Sequence, residues 1–225
     1  WRGRVFSTYN GRDWVNVNSQ REPYDSLAAD LLIPDMTERE VGAFTIQNLA
    51  EQSLMYSPGQ PVWNNRAGEM LFDPVNGGER DVFSFQSTPP IKPRESYEVR
   101  GALANPTIEE MKNAGRDYPA WVTNKYLQLP DGFSPRIREL AAQIAGNEAT
   151  PYDKAQAITA WLRAEIEYQA VIPAPPAETD PLEWVLFDYK KSFCVYYATS
   201  ETLMLRSLVA CGGYFGDIQV GVVLQ

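Results

Sequence analysis

The sequence predicts an α+β protein, with an antiparallel β unit in front and a helical core behind whose last helix opens on a cysteine. Two observations predict it. Up to about residue 104, apolar residues alternate with polar ones in short runs, the period of half-buried strands. Beyond that point they recur at three- and four-residue intervals behind Ser-Pro and Thr-Pro dipeptides, the pattern of capped helices.

In the front half, Val5-Phe6-Ser7-Thr8-Tyr9 and Trp14-Val15-Asn16-Val17 flank Asn10-Gly11, a strong hairpin signal. Residues 41–46 and 81–86 alternate, and residues 97–100 make a shorter run. Ser57-Pro58-Gly59, Asn76-Gly77-Gly78 and Pro89-Pro90 are expected to be turns between strands. Trp1, Phe6, Tyr9 and Trp14 read as cross-strand aromatic pairs rather than as a ligand platform.

In the back half, Asn105-Pro106-Thr107 opens a short helix containing Met111, and a linker-like stretch follows at 118–132. Ser134-Pro135 starts a helix with Ile137, Leu140, Ala141 and Ile144 on one face, ended by Gly146. Thr150-Pro151 starts another, with Ile158, Trp161, Leu162 and Ile166 as its stripe. Pro173-Ala174-Pro175-Pro176 forces a loop, residues 180–187 supply a further helical turn or two, and a helix over 194–209 completes the series. The expected domains are a β unit over 1–104, a helical linker over 105–132 and a core over 133–225.

Composition narrows the function. With a net charge of −9, the chain is a poor partner for nucleic acid or for anionic membrane surfaces. No phosphate loop, dinucleotide motif or serine elbow is present, and no cofactor is expected. Glu38, Glu40, Glu109 and Glu110 read as solvated charge rather than metal ligands. The chain opens on Trp1 and stops at Gln225 inside a strand-like run, so it is expected to be part of something longer. The two cysteines, Cys194 and Cys211, lie roughly 25 Å apart along a helix. A disulfide needs Cα atoms within about 7 Å.

Cys194 is the candidate for chemistry. A thiol opening a helix faces unpaired backbone N–H groups and the positive end of the helix dipole, which favours thiolate. Lys190 and Lys191 add to that if they lie close. The same N–H groups can serve as donors to an oxyanion. The competing reading is a buried structural cysteine at the start of a core helix.

The residues around it weigh against that reading. Asp153-Lys154-Ala155-Gln156-Ala157-Ile158, Trp161-Leu162, Ile166-Glu167-Tyr168, Asp180-Pro181, Phe187-Asp188, Phe193-Cys194-Val195-Tyr196-Tyr197-Ala198 and Leu203-Met204-Leu205-Arg206-Ser207-Leu208 together resemble the nucleophile region of the transglutaminase-like superfamily. Tyr118-Pro119-Ala120-Trp121, residues 126–130 and the β unit resemble the extracytoplasmic part of bacterial membrane-anchored members.

The resemblance implies a papain-like core, cut short in this chain, with a Cys-His-Asp triad. Cys194 would be the nucleophile on a glutamine or peptide amide of a protein or peptide substrate. An extracytoplasmic location, reached through an anchor outside this chain, is implied too. The histidine and aspartate do not carry over. The chain has no histidine, so it is expected to be inactive alone. Ser192, where the family usually has glycine, and Val195, where an acidic residue often stands, depart from the pattern. So does the segment 209–217, and Glu201 stands where a small or apolar residue is expected. These departures support an alternative, a noncatalytic binding or scaffold module. A surviving strand over 218–224 is expected to leave a sheet edge open to pairing, and with it a homodimer. Trp161 and Trp184 read as core residues rather than cleft lining.

Overall fold

The computed structural model describes residues 1–27, 29–34 and 39–210. Glu38, Cys211, the segment after Ala210 and the expected strand over 218–224 lie outside the described residues. Among the described residues the chain divides into two compact units. One comprises Trp1–Phe6 and Asn16–Asn105, and the other Ser7–Val15 with residues 106–210.

The N-terminal hairpin, β1 (Thr8–Tyr9) and β2 (Trp14–Val15), belongs with the helical unit. Its loop is longer than a two-residue turn. Asn10 N–H donates to Asp13 O, and Asn10 Oδ1 accepts from the amides of Arg12 and Asp13. An asparagine side chain thus organises the turn in place of a tight Asn-Gly geometry. Tyr9 and Trp14 are cross-strand partners with ring centroids 5.3 Å apart, whereas Trp1 is 64% exposed and pairs with no ring among the described residues.

The β unit is two antiparallel sheets. One has the order β3 (Gln20–Tyr24), β7 (Gly68–Pro74), β8 (Arg80–Ile91), β5 (Gln52–Met55). The other has the order β4 (Glu40–Gln47), β9 (Ser96–Leu103), β6 (Gln60–Asn64). Alternation sends Met70 and Phe72 of β7, and Tyr97 and Val99 of β9, into one core with Tyr24, Met55, Val82, Phe85 and Ile91. Tyr97 is fully buried, and its hydroxyl donates to Tyr56 O and accepts from Tyr56 N–H. Burial pushes its phenol up to about 12.

Pro89-Pro90 is not a turn; it lies inside β8. The prolines fall where no ladder needs their missing N–H groups. β7 pairing ends at Ser87, and β5 pairing jumps from Gln86 to Ile91 across a bulge.

The helical unit runs α1 (Ile108–Asn113), α2 (Ala120–Tyr126), α3 (Pro135–Ala145), α4 (Pro151–Glu165), β10 (Glu167–Tyr168), α5 (Pro181–Glu183), β11 (Lys191–Ser192) and α6 (Cys194–Ala210). The linker-like stretch therefore contains a helix, α2. Four of the helix starts, those of α1, α3, α4 and α5, are capped by side chains, whereas α2 starts at Pro119 without one. Thr107 and Glu110 form a capping box, Ser134 Oγ accepts from Ile137 N–H, and Thr150 Oγ1 accepts from Asp153 N–H. Asp180 accepts from the amides of Leu182 and Glu183. After α5 the chain widens into a π-helical turn, Trp184–Tyr189, closed by Lys190 in the left-handed region at φ 60°. α3, α4 and α6 pack on one another through Ile137, Ala141, Ile158, Leu162, Leu203 and Met204.

Gly101 in β9 is set by space. A Cβ there would stand 1.9 Å from Pro58 O. Gly101→Ala is expected to destabilise the β unit by about 3 kcal/mol, the upper end of overpacking costs. A urea titration followed by near-ultraviolet circular dichroism checks it.

Candidate active site

α6 is buried nearly all round. Thr202, Leu203, Met204, Leu205, Arg206 and Ser207 are each at most 4% exposed. A helix with no wet face belongs in the middle of a unit. Its first turn is less covered: Val195–Ala198 are half-buried and Cys194 is a free, exposed cysteine. One rigid element thus carries a buried body and a solvent-facing thiol.

The thiol end is fixed by short bonds. Phe193 O accepts from Tyr196 N–H at 3.0 Å and from Tyr197 N–H at 3.3 Å, starting the helix. The amides of Cys194 and Val195, which come first, have no intrahelical acceptor by the geometry of a helix start. β11 pairs in parallel with β10, Ser192 opposite Tyr168. The Tyr197 hydroxyl donates to Ile166 O, tying the first turn of α6 to the chain just before β10. Burial raises the phenols of Tyr196 and Tyr197, so both stay neutral beside the thiol.

Lys190 and Lys191 have partners of their own. Lys190 Nζ lies 5.0 Å from the centroid of the Trp161 ring, and Lys191 Nζ is 2.9 Å from Glu167 Oε2. Glu201, unexpected on its turn, accepts from Thr159 Oγ1 at 2.6 Å and so bonds α6 to α4. Trp184 is buried and stacked on Tyr189, with centroids 4.4 Å apart, a core residue as its periodicity predicts. Trp161 is half-buried under Lys190.

Arg206 was legible only as one residue of a run. In the structure it is the largest fully buried side chain. Its guanidinium donates to Gln128 O and to Ser7 O, both at 3.0 Å, and stands over the Trp14 ring at 5.1 Å. Trp14 Nε1 in turn donates to Thr199 Oγ1 at 2.9 Å. The available signal was a cation inside the apolar stretch Leu203-Met204-Leu205-Arg206-Ser207-Leu208, since a charge buried there needs dedicated acceptors.

The helical unit is a bundle whose central helix opens on an exposed cysteine, and the chain's other unit is antiparallel β. Residues 138–209, within the helical unit, match the family model of the transglutaminase-like superfamily. The chain is 24% identical over 213 residues to a protein-glutamine gamma-glutamyltransferase of Pseudomonas aeruginosa, covering 92% of this chain and 28% of that protein. It is 26% identical over 87 residues to the uncharacterized protein YebA of Bacillus subtilis, covering 38% of this chain and 12% of YebA. Among solved structures, it is similar to the periplasmic domain of TgpA from Pseudomonas aeruginosa. The TM-score is 0.57 at 21% identity, covering 92% of this chain and 64% of that one. The chain spans less than a third of the length of the curated relatives it matches.

Arg206→Leu removes the donor from the buried Ser7 carbonyl and from the part-buried Gln128 carbonyl. Each lost partner of a buried acceptor costs about 1–3 kcal/mol, so a loss of about 3 kcal/mol is expected. Chemical denaturation of the variant against the parent sequence measures it.

Proposed function

We propose that Cys194 is the nucleophile of a transglutaminase-like acyl transfer acting on glutamine side chains or peptide amides. The observation that carries this reading is an exposed thiol at the first residue of a buried helix, inside the segment that matches the superfamily. Cys194 Sγ bonds to the amide carbon while the thiol proton leaves to a base. The amides of Cys194 and Val195 are suited to receive the developing oxyanion. The C–N bond then breaks, and ammonia or an amine departs with a proton, leaving a thioester. An incoming amine or water attacks the thioester, and the thiolate leaves and recovers its proton.

The base is the missing part. This chain contains no histidine, so in this proposal histidine and aspartate partners come from the full-length protein. An extracytoplasmic location, through an anchor outside these residues, belongs to the same proposal. The likeness to a periplasmic domain supports it. Among the described residues no helix is long and apolar enough to cross a membrane.

A noncatalytic module is the second reading. Ser192, 1% exposed where the family usually has glycine, and Lys190 and Lys191, whose ammonium groups are engaged by Trp161 and Glu167, favour it.

Amine incorporation into a glutamine donor separates the two. The full-length protein is expected to incorporate amine, Cys194→Ser to lose at least about a thousandfold of that rate, and the present chain alone to show none. Undiminished incorporation by Cys194→Ser removes the thiol from the reaction.

A further inference from the structure

The sequence contains two Asn-Gly pairs, Asn10-Gly11 and Asn76-Gly77, each in a loop between strands. An Asn-Gly pair carries its own reactants. The backbone nitrogen of the glycine can attack Cγ of the asparagine, because glycine has no Cβ to shield that nitrogen. By sequence the two pairs are equivalent. The fold makes them different.

Asn10 is tied into its turn. Its N–H donates to Asp13 O at 3.1 Å. Its Oδ1 accepts from the amides of Arg12 and Asp13, at 2.9 and 2.7 Å. Residues 9 and 14 on either side are paired strand partners. Closing a ring on Cγ requires the carboxamide and the peptide after it to leave this arrangement.

Asn76 opens the loop between β7 and β8, a single 3-10 turn over Asn76–Gly78. All three residues are exposed. The Asn76 side chain makes no hydrogen bond among the described residues. Gly77 and Gly78 stand at φ 74° and 84°, and a Cβ on either would meet nothing within 4 Å. The loop is closed from outside by Val75 N–H on Glu79 O at 2.9 Å. A short, exposed, glycine-rich turn with nothing packed on it opens at low free energy.

We infer that Asn76 is a modification site, deamidating spontaneously with water as co-reactant, and that the fold shields Asn10. The Gly77 nitrogen bonds to Asn76 Cγ and gives up its proton to water. The Cγ–Nδ2 bond breaks, and the departing nitrogen takes up a proton and leaves as ammonia. The product is a five-membered succinimide. One water then adds to either ring carbonyl, and the ring opens to aspartate or to isoaspartate. In sum, asparagine and water give an acidic residue and ammonia, with no oxidant or cofactor. Each event adds a negative charge to a loop that already carries Glu79, and the isoaspartyl product also lengthens the backbone there. The thiol takes no part, so the inference stands apart from the acyl-transfer reading.

The test holds the full-length protein at mildly alkaline pH, samples it over days and digests it. Mass spectrometry then reads the exchange of NH2 for OH, and the isoaspartyl product, at each pair. Asn76 is expected to convert about tenfold faster than Asn10, a difference of about 1.4 kcal/mol. In concentrated urea the two rates are expected to converge, because the bonds around Asn10 are gone. Gly77→Ala should slow conversion at Asn76 severalfold and leave Asn10 unchanged. That comparison is repeated in urea, where folding of the variant plays no part. Equal rates in the folded protein, a faster Asn10, or a gap that persists in urea overturns the inference. So does conversion at Asn76 undiminished by Gly77→Ala.

Discussion

The helical unit is organised around one buried cation. Arg206 gives up hydration to sit in the core, and burial alone lowers its guanidinium to about 10. Such a group is tolerable only where acceptors are built for it. Ser7 O, Gln128 O and the Trp14 ring are those acceptors. They come from the N-terminal hairpin with the residue before it and from the chain just after α2, so satisfying one charge ties two segments distant in sequence to α6. Breaking such an arrangement costs more than forming it gains, a reason to read it as a specificity device rather than a source of stability.

The same helix transmits that constraint to the thiol. Twelve residues separate Arg206 from Cys194, about 18 Å at a helical rise. At the far end the constraint passes to backbone pairing, with β10 beside β11 and the Tyr197 hydroxyl on Ile166 O. Cys194 is therefore exposed yet positioned at both ends of its helix. A nucleophile needs that combination, since small misplacements of a reacting group are expensive.

The helices were legible because their signals are local. Ser134, Thr150, Thr107 and Asp180 each cap the helix that their position promised, and Cys194 opens the last. The strands were half legible. The strands over 41–46 and 97–100 alternate in burial as expected, whereas 81–86, read as half-buried, has residues 81–85 buried on both faces. β3, β5, β6 and β7 carry prolines, glycines or too few apolar residues, and exist through pairing with neighbours. Pro89-Pro90 misled because a proline's cost depends on whether a ladder needs its N–H, which only the register reveals. At the site, Cys194 was visible as a residue type in a local setting. The partners of Lys190, Lys191 and Arg206 were not, because each is set by a segment distant in sequence.

The central claim is that Cys194 is placed to carry an acyl group. The most direct measurement is the intact mass of the full-length protein, quenched in acid after mixing with a glutamine peptide and no amine, with the adduct mapped by digestion. The account predicts a mass gain equal to the peptide less ammonia, on Cys194. An adduct on any other residue, or none under conditions where the peptide binds, contradicts it.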